Sequence, residues 1–578
     1  MQPTAPTNRK TDSIDREALI RCTPAMPNNS ISKLNNSFIS RIIRRIRSLR
    51  PLPATSNFIE HNRRVFTQSP AHPDAPVVLM EFNEMHSSHI AYSYLANCLA
   101  KKNDARIVAH FPRPLSNLRE RLSFFLRSTF GLDAFGVYRS FGCSEFLAIS
   151  LDAARNKRAE HLLGDISGRL RTKVDLESLS VDGVWIGDLI YDTYLMRFRR
   201  PTVDLESQEF RDFLLESLDL FLFWQDYFKS HRIAGISVSH CVYNLAMPLR
   251  IAVLHDIPVF QATLTHIYRP NRDNLFAYND FFHYRSRYAA LPTDVQRAGL
   301  EQARERIERR FSGEVGVDMH YSSKSAYGNS RHQQLLKPSP RKKILVATHC
   351  FFDSPHSYGN NLFPDFLEWL EFLGQISKES DYDWYIKTHP DYLPGTMEII
   401  RSFIDRYPKF SLLPANASHH QIIGEGIDVA LTVYGTIAFE YAALGKTVIN
   451  CSINNPHIAY DFNLHPRSVG EYRAMLLNID QLTLTIDKKQ VHEYYFMHHL
   501  YSTHNMFVDD YAELLKSIGG YSAQFTPEIY DKWLQQWTPR KHQKLLAALD
   551  RFVDSGDFRM EYNHFSAKES EDRMEGQA

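Results

Sequence analysis

Residues 428–451, DVALTVYGTIAFEYAALGKTVINC, carry the clearest structural pattern in the chain. The segment opens with an apolar run of strand length, turns at residues 434–436, and continues into a short helix predicted at 437–444. Gly445 stands where a C-cap glycine belongs, and a second strand is predicted at 447–451. Strand, turn, helix and strand in this order predict a parallel sheet with a helical crossover.

The same alternation extends outward from this segment and makes the chain an α/β protein. In the second unit, further strands are predicted at 343–348, 382–387 and 410–413, and helices at 363–378 and 397–407. In a first unit nearer the N-terminus, strands are predicted at 77–82, 105–110, 136–141, 184–186, 233–238 and 258–262, and helices at 88–102 and 205–230. Two such units predict two parallel sheets.

The length of 578 residues exceeds what one compact domain holds. We therefore predict two Rossmann-like domains with flanking regions. The predicted parts are a basic tail with an amphipathic helix (1–70), a first Rossmann-like domain (71–311), a linker (312–340), a second Rossmann-like domain (341–490) and a helical region (491–578). Outside its helix the tail has the polar composition of a disordered segment.

Composition excludes several classes of function. A net charge of +1 gives no global field for a nucleic-acid partner. The six cysteines show no CxxC spacing, which favours a reducing compartment over a disulfide framework or a zinc knuckle. No run of 18 apolar residues and no signal-peptide pattern occur in the sequence, so we expect a cytoplasmic protein.

Within the tail, residues 38–50 pair an apolar stripe with five arginines. The apolar members recur at helical spacing, and Pro51 ends the predicted helix. Such a helix either packs on its own protein or lies on an anionic membrane surface. The second possibility would place the protein peripherally at the inner face of the membrane.

Chemistry-bearing residues follow two strands of the second unit. Lys387 and His389 stand at the carboxyl end of the strand in WYIKTHP, where ligands bind in open α/β sheets. Gly435 permits close backbone approach, and Thr436 both caps the next helix and offers a hydroxyl to a phosphate. Glu440, one turn on, suits ribose hydroxyls. The alternative is that His389 is an ordinary loop histidine, Thr436 only caps the helix and Glu440 is an exposed helix residue.

A third loop of this unit, THCFFDSPH at residues 348–356, contains His349 and His356 with an aspartate between them. This composition invites a metal site. The aromatic pair within the loop and its position after the first strand favour a loop that lines the cleft instead. We therefore predict no metal, and we place His349 among the nucleotide-binding residues.

The first unit supplies a second group of candidates, of which Ser239 is placed among the nucleotide-binding residues. Ser239 and His240 follow the strand at 233–238, and the carboxylates Asp188 and Asp192 follow the strand at 184–186. A carboxylate suits a catalytic base or nucleophile, so Asp192 and Asp188 are the first candidates and Glu84 is the next. His240 would orient a substrate, or else is a buried, hydrogen-bonded histidine.

The order of KTHP, a strand, and TVYGTIAFEYAALGKTVI resembles the donor-binding half of bacterial capsule polysaccharide transferases of the Kdo-transferase type, which are GT-B enzymes. It is more distantly similar to the CDP-glycerol glycerophosphotransferases. The resemblance runs from about residue 341 to about residue 450 and covers His389, Pro390, Gly435, Thr436 and Glu440. It implies two Rossmann-like domains facing a cleft, the first carrying the acceptor and the second binding the nucleotide donor. It also implies that the His-Pro pair and the turn before the helix bind the nucleotide phosphates. Tyr434 stands where the teichoic acid enzymes often have a serine, which puts that phosphate contact in doubt.

The sequence thus predicts a glycosyltransferase that moves a sugar from a nucleotide-activated donor, CMP- or CDP-linked by the resemblance, to a surface polysaccharide or lipid-linked glycan. The nucleotide sugar is a substrate, and no separate cofactor is expected. The alternatives are a polyol-phosphate transferase with a CDP donor, a UDP-sugar epimerase, and a non-catalytic component of a polysaccharide assembly complex.

Overall fold

A computed structural model describes residues 51–66, 72–115, 117–319, 322, 324–328, 333–389, 392–501 and 506–565 of the chain. The helix predicted at 38–50 lies outside these residues, and so does Pro390. Among the described residues, no helix combines the length and the apolar character needed to cross a bilayer.

Thirteen strands are labelled in chain order among the described residues. They are β1 (Val77–Glu81), β2 (Arg106–Pro114), β3 (Cys143–Ile149), β4 (Ser180–Val181), β5 (Val184–Trp185), β6 (Ile233–Val238), β7 (Val259–Ala262), β8 (Ile267–Tyr268), β9 (Lys343–Ala347), β10 (Asp383–Lys387), β11 (Phe410–Leu412), β12 (Val429–Thr432) and β13 (Thr447–Asn450).

Helices cover both sheets and connect their strands. They are α1 (Pro53–Val65), α2 (His86–Asn103), α3 (Leu118–Phe130), α4 (Ala134–Ser140), α5 (Ala153–Ser167), α6 (Lys173–Glu177), α7 (Gly187–Phe198), α8 (Gln208–Ser230), α9 (Met247–Leu254), α10 (Tyr284–Ala289), α11 (Thr293–Phe311), α12 (Phe366–Glu379), α13 (Thr396–Arg406), α14 (His419–Gly424), α15 (Ile437–Ala443), α16 (Val469–Leu477), α17 (Lys488–Tyr495), α18 (Tyr511–Ser517), α19 (Glu528–Gln536) and α20 (Pro539–Ser555).

Two separate sheets follow the same strand order. The first runs β3-β2-β1-β6-β7-β8 and is parallel except for β8, and the second runs β11-β10-β9-β12-β13 and is parallel throughout. In both, the order reverses beside the first strand, between β1 and β6 and between β9 and β12. The prediction of an α/β protein with two Rossmann-like units is confirmed. In such sheets ligands bind outside the carboxyl ends of the strands at this reversal.

The first sheet is covered on one face by the last helices of the chain. Tyr530 of α19 stacks on Phe58 of α1 with ring centroids 4.3 Å apart, and its hydroxyl lies 2.6 Å from Nδ1 of the buried His89 in α2. Cys98 of α2 lies 3.3 Å from Asp550 of α20, 452 positions along the chain. The helical region predicted at 491–578 therefore helps to build the core of the first unit, and part of the predicted tail is α1.

One predicted strand of the first unit is wrong, and another is present but lies outside the large sheets. Residues 136–141 fall in and just after α4, because Val137 and Phe141 are buried at helical spacing, i and i+4, and not in alternation. The strand of this region is β3, which begins at Cys143. Residues 184–186 contribute only β5, which pairs with β4 in a two-stranded hairpin outside both large sheets.

Candidate active site

His349 lies at the reversal point of the second sheet, two residues beyond β9. Its Nε2 lies 3.1 Å from the backbone nitrogen of Val433, which donates to it, and 3.1 Å from Oγ1 of Thr432 at the end of β12. A nitrogen that accepts a backbone N–H carries no proton of its own. The ring proton of His349 is therefore on Nδ1.

The surroundings of His349 keep its ring neutral and fixed. The ring stacks on Phe366 with centroids 4.7 Å apart and lies 4.8 Å from the ring of Tyr434. Burial, together with the nearby charge of His389, lowers the pKa of His349 to about 3. At neutral pH this side chain is a neutral hydrogen-bond donor through Nδ1, which suits a phosphate oxygen.

The turn after β12 packs against the same histidine. The backbone N–H of Gly435 donates to Oγ1 of Thr432 at 3.1 Å, and a Cβ at position 435 would lie only 2.8 Å from that oxygen. Thr436 begins α15 but makes no capping bond with its side chain, so the prediction that its hydroxyl caps the helix is wrong. Its backbone is already helical, whereas a capping side chain needs an extended one.

His389 is exposed, two residues beyond β10, and its charge lowers the pKa of both His349 and His419. The structure thus brings two predicted donor-site histidines, His349 and His389, to one edge of the second sheet. Tyr434 and Gly435, half-buried, complete this edge.

Lys387 and Glu440 are engaged inside the protein. Lys387 is 2% exposed and its Nζ donates to the carbonyl of Ala415 at 3.2 Å, and burial lowers its pKa to about 8. Glu440 accepts from Nε of Arg310 at 2.7 Å and from the hydroxyl of Tyr327 at 2.9 Å. Both predicted ligands of the nucleotide therefore have internal partners: Glu440 is paired with an arginine, whereas Lys387 donates to a neutral carbonyl and its ammonium is disfavoured by burial.

The reversal point of the first sheet holds a buried carboxylate, a serine and an exposed histidine. Glu81, at the end of β1, accepts the backbone N–H of Ser239 at 2.6 Å and its hydroxyl at 2.9 Å. Oγ of Ser239 lies 2.9 Å from Nδ1 of His240. Since the hydroxyl proton goes to the carboxylate, Oγ accepts from Nδ1–H, and Nε2 of His240 keeps its lone pair. We call these three residues the first-sheet relay.

Two residues connect the surroundings of His240 to the second unit. The hydroxyl of Tyr243 donates to Asp353 of the second unit at 2.8 Å. Desolvation by the surrounding protein lowers the pKa of His240, and the negative charge of Asp353 opposes this shift. The loop at residues 348–356 thus faces the first unit beside His240.

Asp188, predicted as a catalytic base or nucleophile, is buried in an ion pair. Its side chain is 1% exposed and pairs with Arg250, whose Nη2 lies 2.6 Å from Oδ2. The guanidinium lies against two aromatic rings, 4.8 Å from the centroid of Trp185 and 5.0 Å from that of Phe276. A carboxylate held in this way neutralises Arg250 and is out of reach of a substrate.

Asp192, the other first candidate for the catalytic base or nucleophile, is also buried. It accepts from Nδ1 of His356 at 2.6 Å and from the hydroxyl of Ser354, and Nε2 of His356 lies 3.1 Å from Glu177. Burial lowers the pKa of His356, but the two carboxylates outweigh it and raise that pKa to about 10. A charged histidine of the second unit is therefore clamped by two carboxylates of the first, an arrangement we call the interdomain clamp.

The polar residues of the loop 348–356 point to different partners. His349 contacts Thr432, Asp353 contacts Tyr243, and His356 contacts Asp192. Within the described part of the chain, no group of three or more His, Cys, Asp or Glu side chains is arranged to hold a metal ion.

Sequence reasoning missed the partners that decide these roles. The proximity of Glu81 to Ser239 follows from sheet order, because β1 and β6 are neighbours at the reversal point. A Rossmann-like strand order therefore predicts the contact between Glu81 and Ser239 from the sequence. The pairing of Asp188 with Arg250 joins two helices and carried no comparable signal.

No family model matches the chain, and no curated protein matches it in sequence. Similar solved structures include the UDP-GlcNAc 2-epimerase of Neisseria meningitidis bound to UDP-GlcNAc, at 12% identity and a TM-score of 0.22 over 73% of this chain and 93% of that one. They include the β-Kdo 2,7-transferase KpsC of Thermosulfurimonas dismutans, at 12% identity and a TM-score of 0.27 over 52% of this chain and 85% of that one. They also include a glycosyltransferase of Rickettsia africae, at 10% identity and a TM-score of 0.23 over 80% of this chain and 100% of that one. Likenesses this low assign no activity to the chain.

Proposed function

We propose that the chain is a glycosyltransferase that moves a sugar from a nucleotide-activated donor to a glycan or lipid-linked glycan acceptor. The first-sheet relay carries this proposal. Glu81 is 3% exposed, and burial raises the pKa of its carboxyl while the hydrogen bonds from Ser239 oppose that rise. A buried carboxylate that serves an exposed histidine is costly for stability and is typical of sites where a base must be held ready.

In the proposed reaction His240 is the general base. Its Nε2 takes the proton from an acceptor hydroxyl as the hydroxyl oxygen bonds to the anomeric carbon of the donor sugar. The bond from that carbon to the phosphate oxygen breaks, and the nucleotide leaves with the electron pair. The imidazolium that forms is stabilised by Glu81 through Ser239 and by the charge of Asp353. This single displacement inverts the anomeric configuration.

On the other side, the second unit would hold the leaving phosphate. His349 offers Nδ1–H, His389 is exposed beside it, and the turn at Gly435 and Thr436 lies against His349. Negative charge grows on the phosphate as the sugar departs, so donors placed in advance at this point accelerate the step. Lys387 and Glu440 are left out of this assignment because the fold already uses them.

The test is donor binding followed by transfer. Thermal unfolding is measured with CMP, CDP, UDP and GDP, and the stabilising nucleotide then selects the activated sugars and polyols for a transfer assay with glycan acceptors. We expect one nucleotide to stabilise the protein, and His240→Ala to keep that shift while transfer falls by about two to four orders of magnitude. Transfer by His240→Ala at the wild-type rate would refute the assignment, and transfer of a polyol phosphate alone would replace it with the alternative donor chemistry.

A further inference from the structure

Helix α3 presents an apolar face to solvent. None of its residues is buried. Five large apolar side chains on it are exposed: Leu118 (81%), Leu122 (56%), Phe125 (61%), Leu126 (42%) and Phe130 (70%). At 100° per residue they fall within about 140° of the helix circumference, a continuous stripe and not scattered positions. We call this stripe the α3 face.

The opposite side of the helix attaches it to the first unit. Phe124 packs on Phe111 and Phe135, with ring centroids 5.7 Å and 5.5 Å away. The α3 face therefore points away from the protein because a different side of the helix makes the packing contacts. Exposed stripes of this kind mark surfaces that bind a partner or a membrane.

Charge around the α3 face is basic. Arg119 and Arg121 are exposed in the first turn beside Leu118 and Leu122. The helix carries one acidic side chain, Glu120, and it lies 3.3 Å from Nη1 of Arg113. Long arginine side chains next to apolar ones reach lipid phosphates while the apolar groups enter the acyl boundary.

We propose that the α3 face lies in the interface of an anionic membrane. A stripe of leucine and phenylalanine flanked by arginine, with its acidic charge already neutralised, matches the chemistry of an interfacial amphipathic helix. An acidic protein partner would use the arginines but would leave five large apolar groups to be matched by a second, apolar surface. The inference is independent of the proposed transferase activity.

The position of α3 gives the membrane a place relative to the candidate site. α3 follows the carboxyl end of β2, and the first-sheet relay lies at the same end of the neighbouring β1. A membrane under α3 therefore lies along the edge of the first sheet that carries His240. A substrate with a lipid anchor would meet this edge without leaving the bilayer.

The test is co-sedimentation of the full chain with phosphatidylglycerol-containing vesicles and with pure phosphatidylcholine vesicles. We expect binding to the anionic vesicles that weakens with salt, and a loss of about tenfold or more in Leu122→Ser/Phe125→Ser. The matched control is Leu151→Ser/Val174→Ser, which removes two side chains that are 64% and 57% exposed elsewhere on the same unit. Equal binding of wild type and the α3 variant would overturn the proposal.

A second measurement separates α3 from any other membrane-binding segment. Leu122→Cys, labelled with an environment-sensitive fluorophore, should shift its emission to the blue on adding anionic vesicles, and Leu151→Cys labelled in the same way should not. An unchanged spectrum at position 122 would overturn the proposal. A wild-type dimer in solution that Leu122→Ser/Phe125→Ser converts to monomer would also overturn it, because the α3 face would then bind a second copy.

Discussion

Ser239 gives both its backbone N–H and its hydroxyl to the carboxylate of Glu81, at 2.6 Å and 2.9 Å, and this fixes which nitrogen of the adjacent histidine carries the proton. The contact joins the ends of the two central strands of the first sheet. Through this contact the buried carboxylate of Glu81 determines the tautomer of the exposed His240.

Glu81→Gln should lower kcat by about ten- to a hundredfold with KM little changed. The amide nitrogen can donate to Oγ of Ser239, whose hydroxyl then donates to Nδ1 of His240 and moves the ring proton to Nε2. The measurement is the transfer rate against pH, in which the pKa of the base should shift downward once the negative charge is lost. Glu160→Gln, an exposed change on α5, is the control. A large loss in Glu84→Gln, with none in Glu81→Gln, would make Glu84 the base.

His389→Ala should lower transfer by about two to three orders of magnitude if His389 stabilises the leaving phosphate. His389 is exposed, so the thermal unfolding temperature should stay within a few degrees of wild type. His161→Ala, on the exposed surface of α5, controls for loss of an imidazole. Near-normal transfer with folding intact would contradict the assignment.

Gly435→Ala should weaken nucleotide binding by about tenfold or more. The new Cβ would lie 2.8 Å from Oγ1 of Thr432 and 3.5 Å from Cε1 of His349, so the turn or the histidine must move. Gly424→Ala is the matched control, because a Cβ there meets nothing within 4 Å. Calorimetric titration with the stabilising nucleotide measures the difference, and equal affinity of the two variants would count against the contact.

The interdomain clamp predicts alkaline instability. The pKa of His356 rises on folding from 6.5 to about 10, so its contribution to stability is complete below pH 6.5 and is lost as the pH rises through about 10. Between pH 7 and 10 the free energy of unfolding should fall by about 3–4 kcal/mol from this group.

The measurement is urea unfolding at several pH values for wild type and His356→Gln. The variant should be less stable at pH 7, since two buried carboxylates lose their cation, and its stability should change less between pH 7 and 10. Parallel pH profiles for the two proteins would show that His356 carries no charge in the native state.

Most of the architecture was predictable because parallel strands buried on both faces read as short apolar runs. The strands and helices of the second unit lie within a few residues of their predicted bounds, from β9 to β13. Residues 136–141 were predicted as a strand but lie in and just after a helix, because a window of six residues is too short to distinguish helical from strand spacing of the apolar positions. Burial of α1 and α19 against each other depends on contacts hundreds of residues apart, which local patterns do not contain.

The candidate site was predictable in location and less so in roles. His349, His389, Gly435 and His240 lie where strand ends predicted them. The arginine partners of Asp188 and Glu440 were not predictable, because a carboxylate in the sequence gives no sign of the arginine that will neutralise it. The roles of such residues depend on tertiary partners, which only the fold supplies.

The packing of the last helices on the first unit determines when that unit can finish folding during translation. Cys98 and its contact Asp550 are separated by 452 positions, which a ribosome takes roughly half a minute to a minute and a half to translate. Throughout that interval the apolar face of α2 lacks its final cover, and the whole second sheet is synthesised before α20 is available. The half of the molecule that is made first is thus the last to complete its core.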